Sequence, residues 1–255
     1  MTTPLPDVFF VTGTDTDVGK TFISAVLMMG LQAAYWKPVQ SGRDPQTDRD
    51  WIKEKTALPP EAFFPESYVF SQPLSPHAAA AIDGVSIETA KLRQDFSDHR
   101  KQLQETHFGV NTRPRMIVEG AGGLMVPLTE QTLVVDLIDQ FHLPVLLVCR
   151  SGLGTINHTL LSIEQLRVHH IPLLGIVMNG PKNESNKQAI EHFGNARVIA
   201  QVDTVSDITP DSLKAVFEKE FRNAIDIADG SDHLASVHTN ANGPDATKGG
   251  ASQRV

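Results

Sequence analysis

Five short apolar runs constrain this chain more than any other feature: "VFFVTG" (8–13), "RMIVEGAGG" (115–123), "PVLLVCR" (144–150), "LLGIVMNG" (173–180) and "ARVIAQV" (196–202). None alternates apolar with polar residues, as a strand with one wet face does. Between the later runs lie segments of helical character, "LVVDLIDQFH" (133–142), "GTINHTLLSIEQLRVHH" (154–170) and "NESNKQAIEHFG" (183–194). Strands buried on both faces and separated by helices predict a mainly parallel sheet covered on both sides, an α/β fold. "TPDSLKAVFEKEFRNAIDIA" (209–228) reads as one final helix.

The first half is less regular. From Lys20 the apolar positions Phe22, Ile23, Val26 and Leu27 recur at helical spacing. "AYWKPVQSG" (34–42) reads as a second strand running into a loop. "TDRDWIKEKTAL" (47–58) opens with Thr47 and Asp48, good helix-capping types. The proline-rich stretch 59–77 must be irregular or edge-like. Residues 86–108 read as a long helix capped by Ser86, with Thr89 or Glu88 answering it. Residues 1–228 form a single expected domain. From about Asp229 the sequence is polar and glycine-rich, and a disordered tail is expected over 229–255.

Composition narrows the function. A net charge of −8 with scattered basic residues argues against a nucleic-acid partner. The single cysteine, Cys149, closes the run "LPVLLVC" and reads as a buried strand residue in a reducing compartment. No apolar run approaches the ~20 residues needed to cross a membrane. The first ten residues lack the basic start and apolar core of a signal peptide. A cytoplasmic location with no membrane partner is the expectation.

The chemistry centres on "FFVTGTDTDVGKTF" (9–22). A strand, a glycine turn and Gly19-Lys20-Thr21 at a helix start resemble a phosphate-binding loop. Amides near Gly19 to Thr21 would face phosphate, Lys20 would reach its outer oxygens, and the Thr21 hydroxyl would serve Mg²⁺. The usual pattern G-x-x-x-x-G-K-[ST] demands glycine at 14, yet residue 14 is threonine and the glycine is Gly13. A known variant, K-G-G-x-G-K-[ST] of the partition ATPases, carries a second lysine five residues before the loop lysine. Here that position is Asp15, with the charge reversed, which counts against such a switch.

The residues resemble dethiobiotin synthetase, the ATP-dependent ring-closing enzyme family of biotin synthesis. Its loop G-T-D-T-[DE]-V-G-K-T matches "GTDTDVGKT" (13–21). "YWKPVQSG" (35–42), "SYVFSQPLSPHAAA" (67–80), "VEGAGGLMVPL" (118–128) and "GTINHTLL" (154–161) match further family segments in order. Cobalamin-pathway amidases share the loop, but they need a cysteine nucleophile domain for which no length remains.

The resemblance implies a P-loop NTPase-like fold, Mg²⁺, and a homodimer. It also implies that CO₂ and 7,8-diaminononanoate are joined at the expense of ATP, through a carbamate and its mixed anhydride with phosphate. It assigns Lys37 and Lys20 to catalysis. It gives Asp17, Val18, Gly19, Lys20, Thr21, Phe22, Asp48, Glu119, Gly120, Ala121, Gly122 and Asn179 to the nucleotide. Thr16, Lys37, Ser41, Gly154 and Thr155 fall to the diamine, the last two through a turn that serves the partner subunit's site. Thr21, Glu119 and an aspartate after Ser41 would hold the metal. Asp48 and Asp50 both qualify, and the family's spacing to Leu58 favours Asp48. Asp15 is expected near the metal's water shell, with Asp17 orienting loop amides or lysines. Asn157, His158 and His77 are expected to be structural. Where the family often has proline near the last strand's end, this chain has "AQVDT" (200–204), so adenine contacts after Gly180 stay open.

Overall fold

In the computed structural model the described residues are 3–105 and 114–226. In chain order they run β1 (Thr3–Pro4), β2 (Val8–Gly13), α1 (Lys20–Leu31), β3 (Ala34–Trp36), β4 (Val39–Ser41) and α2 (Asp48–Thr56). A single 3₁₀ turn, Pro60–Ala62, precedes β5 (Tyr68–Phe70), α3 (Pro76–Ile82), α4 (Thr89–Glu105) and β6 (Met116–Gly123). Then follow α5 (Val134–Phe141), β7 (Val145–Arg150), α6 (Thr155–Val168), β8 (Leu173–Asn179), α7 (Glu184–Gly194), β9 (Val198–Val202), α8 (Pro210–Glu220) and β10 (Ile225–Asp226).

Six strands form one sheet in the order β3-β6-β2-β7-β8-β9, with every neighbouring pair parallel. The expected α/β fold is therefore present. All six residues of β2 are buried. The unbroken apolar runs follow from this, because both faces are covered. Phe9 and Val11 pack on one side with α1 and α8, and Phe10 on the other with α4, α5 and α6. From central β2 the chain leaves toward β3 and β6, then crosses to β7 and onward. The crevice at the carboxyl ends of β2 and β6 sits at that reversal, where open α/β sheets bind ligands.

Three expectations need correction. Residues 34–42 are not one strand. Pro38 has no N–H for a ladder bond, and the chain leaves the main sheet there. β4 then pairs with β5 in a separate two-stranded sheet. The long helix starts at Thr89, not after a Ser86 cap, and Leu92 N–H meets the Glu88 carbonyl at 3.3 Å. The last helix ends at Glu220. Phe221 and Ile225 then turn inward, and β10 pairs in parallel with β1. Burial of those apolar residues overrides continued helix. The end of the expected long helix, 106–108, and the tail 229–255 lie outside the described residues. Among the described residues no helix is long and apolar enough to cross a membrane.

Beyond the edge strand β3, α4 lays Phe96 and His99 over Trp36. Phe96 stacks on Phe141 at 4.4 Å, and His99 stacks on Phe64 at 4.5 Å. Burial holds the His99 imidazole below its ordinary pKa, although Asp95 and Asp98 pull it upward. The sign is fixed: the unfolded chain protonates first as pH falls, so stability is lost from about pH 6.5 downward. The nearby Asp95 carboxyl is lowered by Lys91 and Ser67, against burial, so its contribution fades only in the carboxylate range. His99→Phe should keep the stack and flatten the urea midpoint between pH 6.5 and the carboxylate range. An unchanged slope there would show that His99 is not its source.

Candidate nucleotide and substrate site

The glycine-rich loop joins β2 to α1. Gly19 caps α1 in the left-handed region (φ 95°), which a residue with a Cβ rarely adopts. A Cβ there would also lie 2.1 Å from the Asn179 side-chain nitrogen. That nitrogen donates to the Val18 carbonyl at 3.0 Å and ties β8 to the loop. The displaced glycine has its own cause. A Cβ on Gly13 would sit 2.6 Å from Val18 Cγ2 and 2.8 Å from the Asp15 carbonyl, so the loop folds back on the position where its side chain would be. The Lys20 ammonium donates to the Asp15 carbonyl at 3.0 Å. The first amides of α1 have no partner within the helix and face the crevice, as at any helix start. Phe22 is half-buried in that first turn.

Glu119 enters from β6, wholly buried, and collects donors from two other elements. Thr21 Oγ1 donates to its Oε1 at 3.1 Å and Ser24 Oγ to its Oε2 at 2.7 Å, both from α1. Lys37, just past β3, donates to Oε1 at 3.1 Å and also to Asp48 Oδ2. Burial alone would lower the Lys37 pKa, but the Glu119 and Asp48 carboxylates outweigh it and hold it well above the usual lysine range. Asp48 is held below the usual carboxylate range, since the Lys37 charge and its hydrogen bond overcome burial. Burial and then the Lys37 charge lower the pKa of Lys20.

Of the two candidate aspartates, Asp48 therefore faces the cluster, while Asp50 is exposed in the first turn of α2, its amide capped by Thr47. Thr21, Asp48 and Glu119 bring a hydroxyl and two carboxylates together. Such hard oxygen donors suit Mg²⁺, which takes one or two carboxylates and completes its shell with water and phosphate oxygens. Lys37 already places one cation between the two carboxylates.

Gly120, Ala121 and Gly122 follow Glu119 at the end of β6 and lie beside the loop, where Gly123 pairs with Gly13. Ser41 ends β4 with a buried hydroxyl that meets no hydrogen-bond partner among the described residues. Thr16 and Asp17 are exposed on the loop, Asp17 in the left-handed region (φ 57°). Asp15 is exposed on the loop as well. It pairs with Arg150 at 3.6 Å, and Arg150 also donates to the Thr16 carbonyl at 3.0 Å. Gly154 caps α6 in the left-handed region (φ 89°), but Thr155 is largely committed. Its hydroxyl donates to the Arg150 carbonyl at 2.6 Å and its amide to the Gly152 carbonyl at 3.3 Å. A cleft of about 350 Å³ opens between Arg150, Asn179 and Lys182.

Ser24, Tyr35 and Arg150 did not emerge from the sequence. Ser24 lies one turn after Thr21 on α1, and Tyr35 two residues before Lys37 on its strand, so each shares a face with a motif residue. That periodicity was the available signal.

The strand, the folded loop, the buried lysine and the helix start define a P-loop nucleotide-binding α/β protein. A family model described as an AAA domain matches residues 7–212. The ATP-dependent dethiobiotin synthetase BioD of Paramagnetospirillum magneticum is 46% identical over 200 residues, covering 78% of this chain and 89% of that protein. The protein of the same name from Rhodopseudomonas palustris strain BisA53 is 45% identical over 211 residues, covering 83% and 92%. Among solved structures, a ParA family ATPase from Chlorobium tepidum aligns with a TM-score of 0.47 at 13% identity, over 83% of this chain and 90% of that one. The chain belongs to the dethiobiotin synthetase family.

Gly13→Ala should leave the far-UV spectrum intact and weaken ATP binding about tenfold or more, the loss of roughly 1.4 kcal/mol. Unchanged affinity by calorimetry would show that Gly13 is not required by the loop.

Proposed function

We propose that this chain is an ATP- and Mg²⁺-dependent dethiobiotin synthetase of biotin biosynthesis, acting in the cytoplasm as a homodimer. It joins CO₂ to 7,8-diaminononanoate and closes the ureido ring, releasing ADP and phosphate. The observation that carries this reading is the second buried lysine. Lys37 puts a second cation beside Lys20 and Glu119, outside the loop itself, which suits a reaction that must hold an anionic carbamate against a phosphate.

The chemistry has three steps. One amine attacks CO₂ and loses a proton, giving the carbamate. A carbamate oxygen attacks the γ-phosphorus, forming the mixed anhydride and releasing ADP. The second amine attacks the carbonyl carbon, expels phosphate and loses a proton as the ring closes. A free alkylamine is protonated at neutral pH, like lysine with its pKa near 10.4. Positive charge nearby disfavours that proton and favours the carbamate, and Lys20 and Lys37 supply it.

Phosphoryl transfer is chiefly positioning and neutralisation of charge. Mg²⁺, when bound, supplies part of that neutralisation, and Thr21, Asp48 and Glu119 would hold it. The loop amides from Asp17 to Phe22 and the Gly120–Gly122 turn cradle the phosphates, and the cleft beside Asn179 takes the base. Ser41 supports its share through a buried hydroxyl with no partner among the described residues, available to bond the diamine or carbamate. Thr16 lies on the same loop. Leu153, fully exposed in the turn before Gly154, supports a role for that turn in the partner subunit's site.

ADP release should require both 7,8-diaminononanoate and bicarbonate in a coupled assay. Lys37→Ala should lose about 10²-fold or more in turnover, the scale of one transition-state charge contact. ADP release indifferent to the diamine would sink this reading, and full activity in Lys37→Ala would remove that lysine from it.

A further inference from the structure

Tyr35 carries an oxygen that packing does not explain. Its ring is fully buried and meets Phe63 edge-on at 6.5 Å. Its hydroxyl is buried too, and no acceptor among the described residues meets it in hydrogen-bond geometry. An unmet buried hydroxyl costs free energy, and phenylalanine would fill the same space without that cost. Tyr35 pairs with Ile117 of β6, so Glu119, two residues further along that strand, lies on the same face of the sheet. At neutral pH a phenol keeps its proton and can donate it to a carboxylate.

The donors around Glu119 are unevenly shared. Oε1 accepts from Thr21 and Lys37, and Oε2 from Ser24 alone. A carboxylate has about four acceptor positions, so one is open. If Lys37 turns to an anionic substrate and Thr21 to a metal, Glu119 keeps only Ser24. We propose that Tyr35 is a positioning residue for the metal site: its hydroxyl holds the Glu119 carboxylate in place once Lys37 and Thr21 are engaged elsewhere. This rests on the Mg²⁺–nucleotide reading above. It assigns a use to an unsatisfied group beside a functional site, where such local costs are commonly retained.

The test is calorimetric titration of ADP with and without Mg²⁺, together with thermal unfolding of the ligand-free protein. Tyr35→Phe should melt at or above the wild-type temperature and bind ADP normally without Mg²⁺. The enhancement of ADP affinity by Mg²⁺ should fall threefold or more. Ser24→Ala, which breaks an existing 2.7 Å bond, should lower both the melting temperature and the enhancement. Wild-type Mg²⁺ enhancement in Tyr35→Phe would overturn the proposal at any melting temperature. Failure of Tyr35→Phe to fold would also overturn it, since the hydroxyl would then be structural. No Mg²⁺ enhancement in the wild type would remove the metal reading, and this proposal with it. Normal enhancement in both proteins would remove this proposal alone.

Discussion

The rest of the site depends on one buried ammonium group held between two carboxylates. Lys37 has a relative side-chain exposure of 5% and Glu119 of 0%, and each would be intolerable there alone. An isolated buried charge is costly, and removing one partner of a buried pair strands the other. The pairing therefore joins the elements that carry it. Glu119 brings β6 to α1 through Thr21 and Ser24, and to the end of β3 through Lys37. Lys37 in turn brings in α2 through Asp48.

That arrangement also sets the electrostatics available to a ligand. Lys20 sits beside a neighbour of like charge and donates to the neutral Asp15 carbonyl, so a phosphate in its place would make a stronger, charge-assisted contact. Lys37 sits between two anions. A metal ion that takes those carboxylates would leave it free to face a carbamate. Mutual pairing is what lets so much charge sit under a parallel sheet.

Much of this was legible in the sequence, for identifiable reasons. The five apolar runs give a sheet buried on both faces, and they became five of its six strands. Thr47 and Asp48 marked a true helix start. What failed was set at longer range. Pro38 sends the chain out of the sheet just after Lys37, and the strand that follows pairs with β5 instead. Phe221 and Ile225 fold back because a parallel partner, β1, lies there, and nothing local announces it. Glu119, Lys37 and Asp48 could each be named from motifs, but their mutual contact could not, since it joins residues 82 positions apart. The contact between Asp15 and Arg150 is equally long-range, since Arg150 comes from a strand far along the chain.

The most direct measurement is a double-mutant cycle on Lys37 and Glu119, using urea unfolding at pH 7 of Lys37→Met, Glu119→Gln and the pair together. If the buried pair organises the site, each single substitution should cost about 3–5 kcal/mol by stranding the other charge. The double variant should lose less than their sum, with a coupling of about 1–3 kcal/mol. Strictly additive losses would mean that Lys37 and Glu119 act independently and would contradict the account.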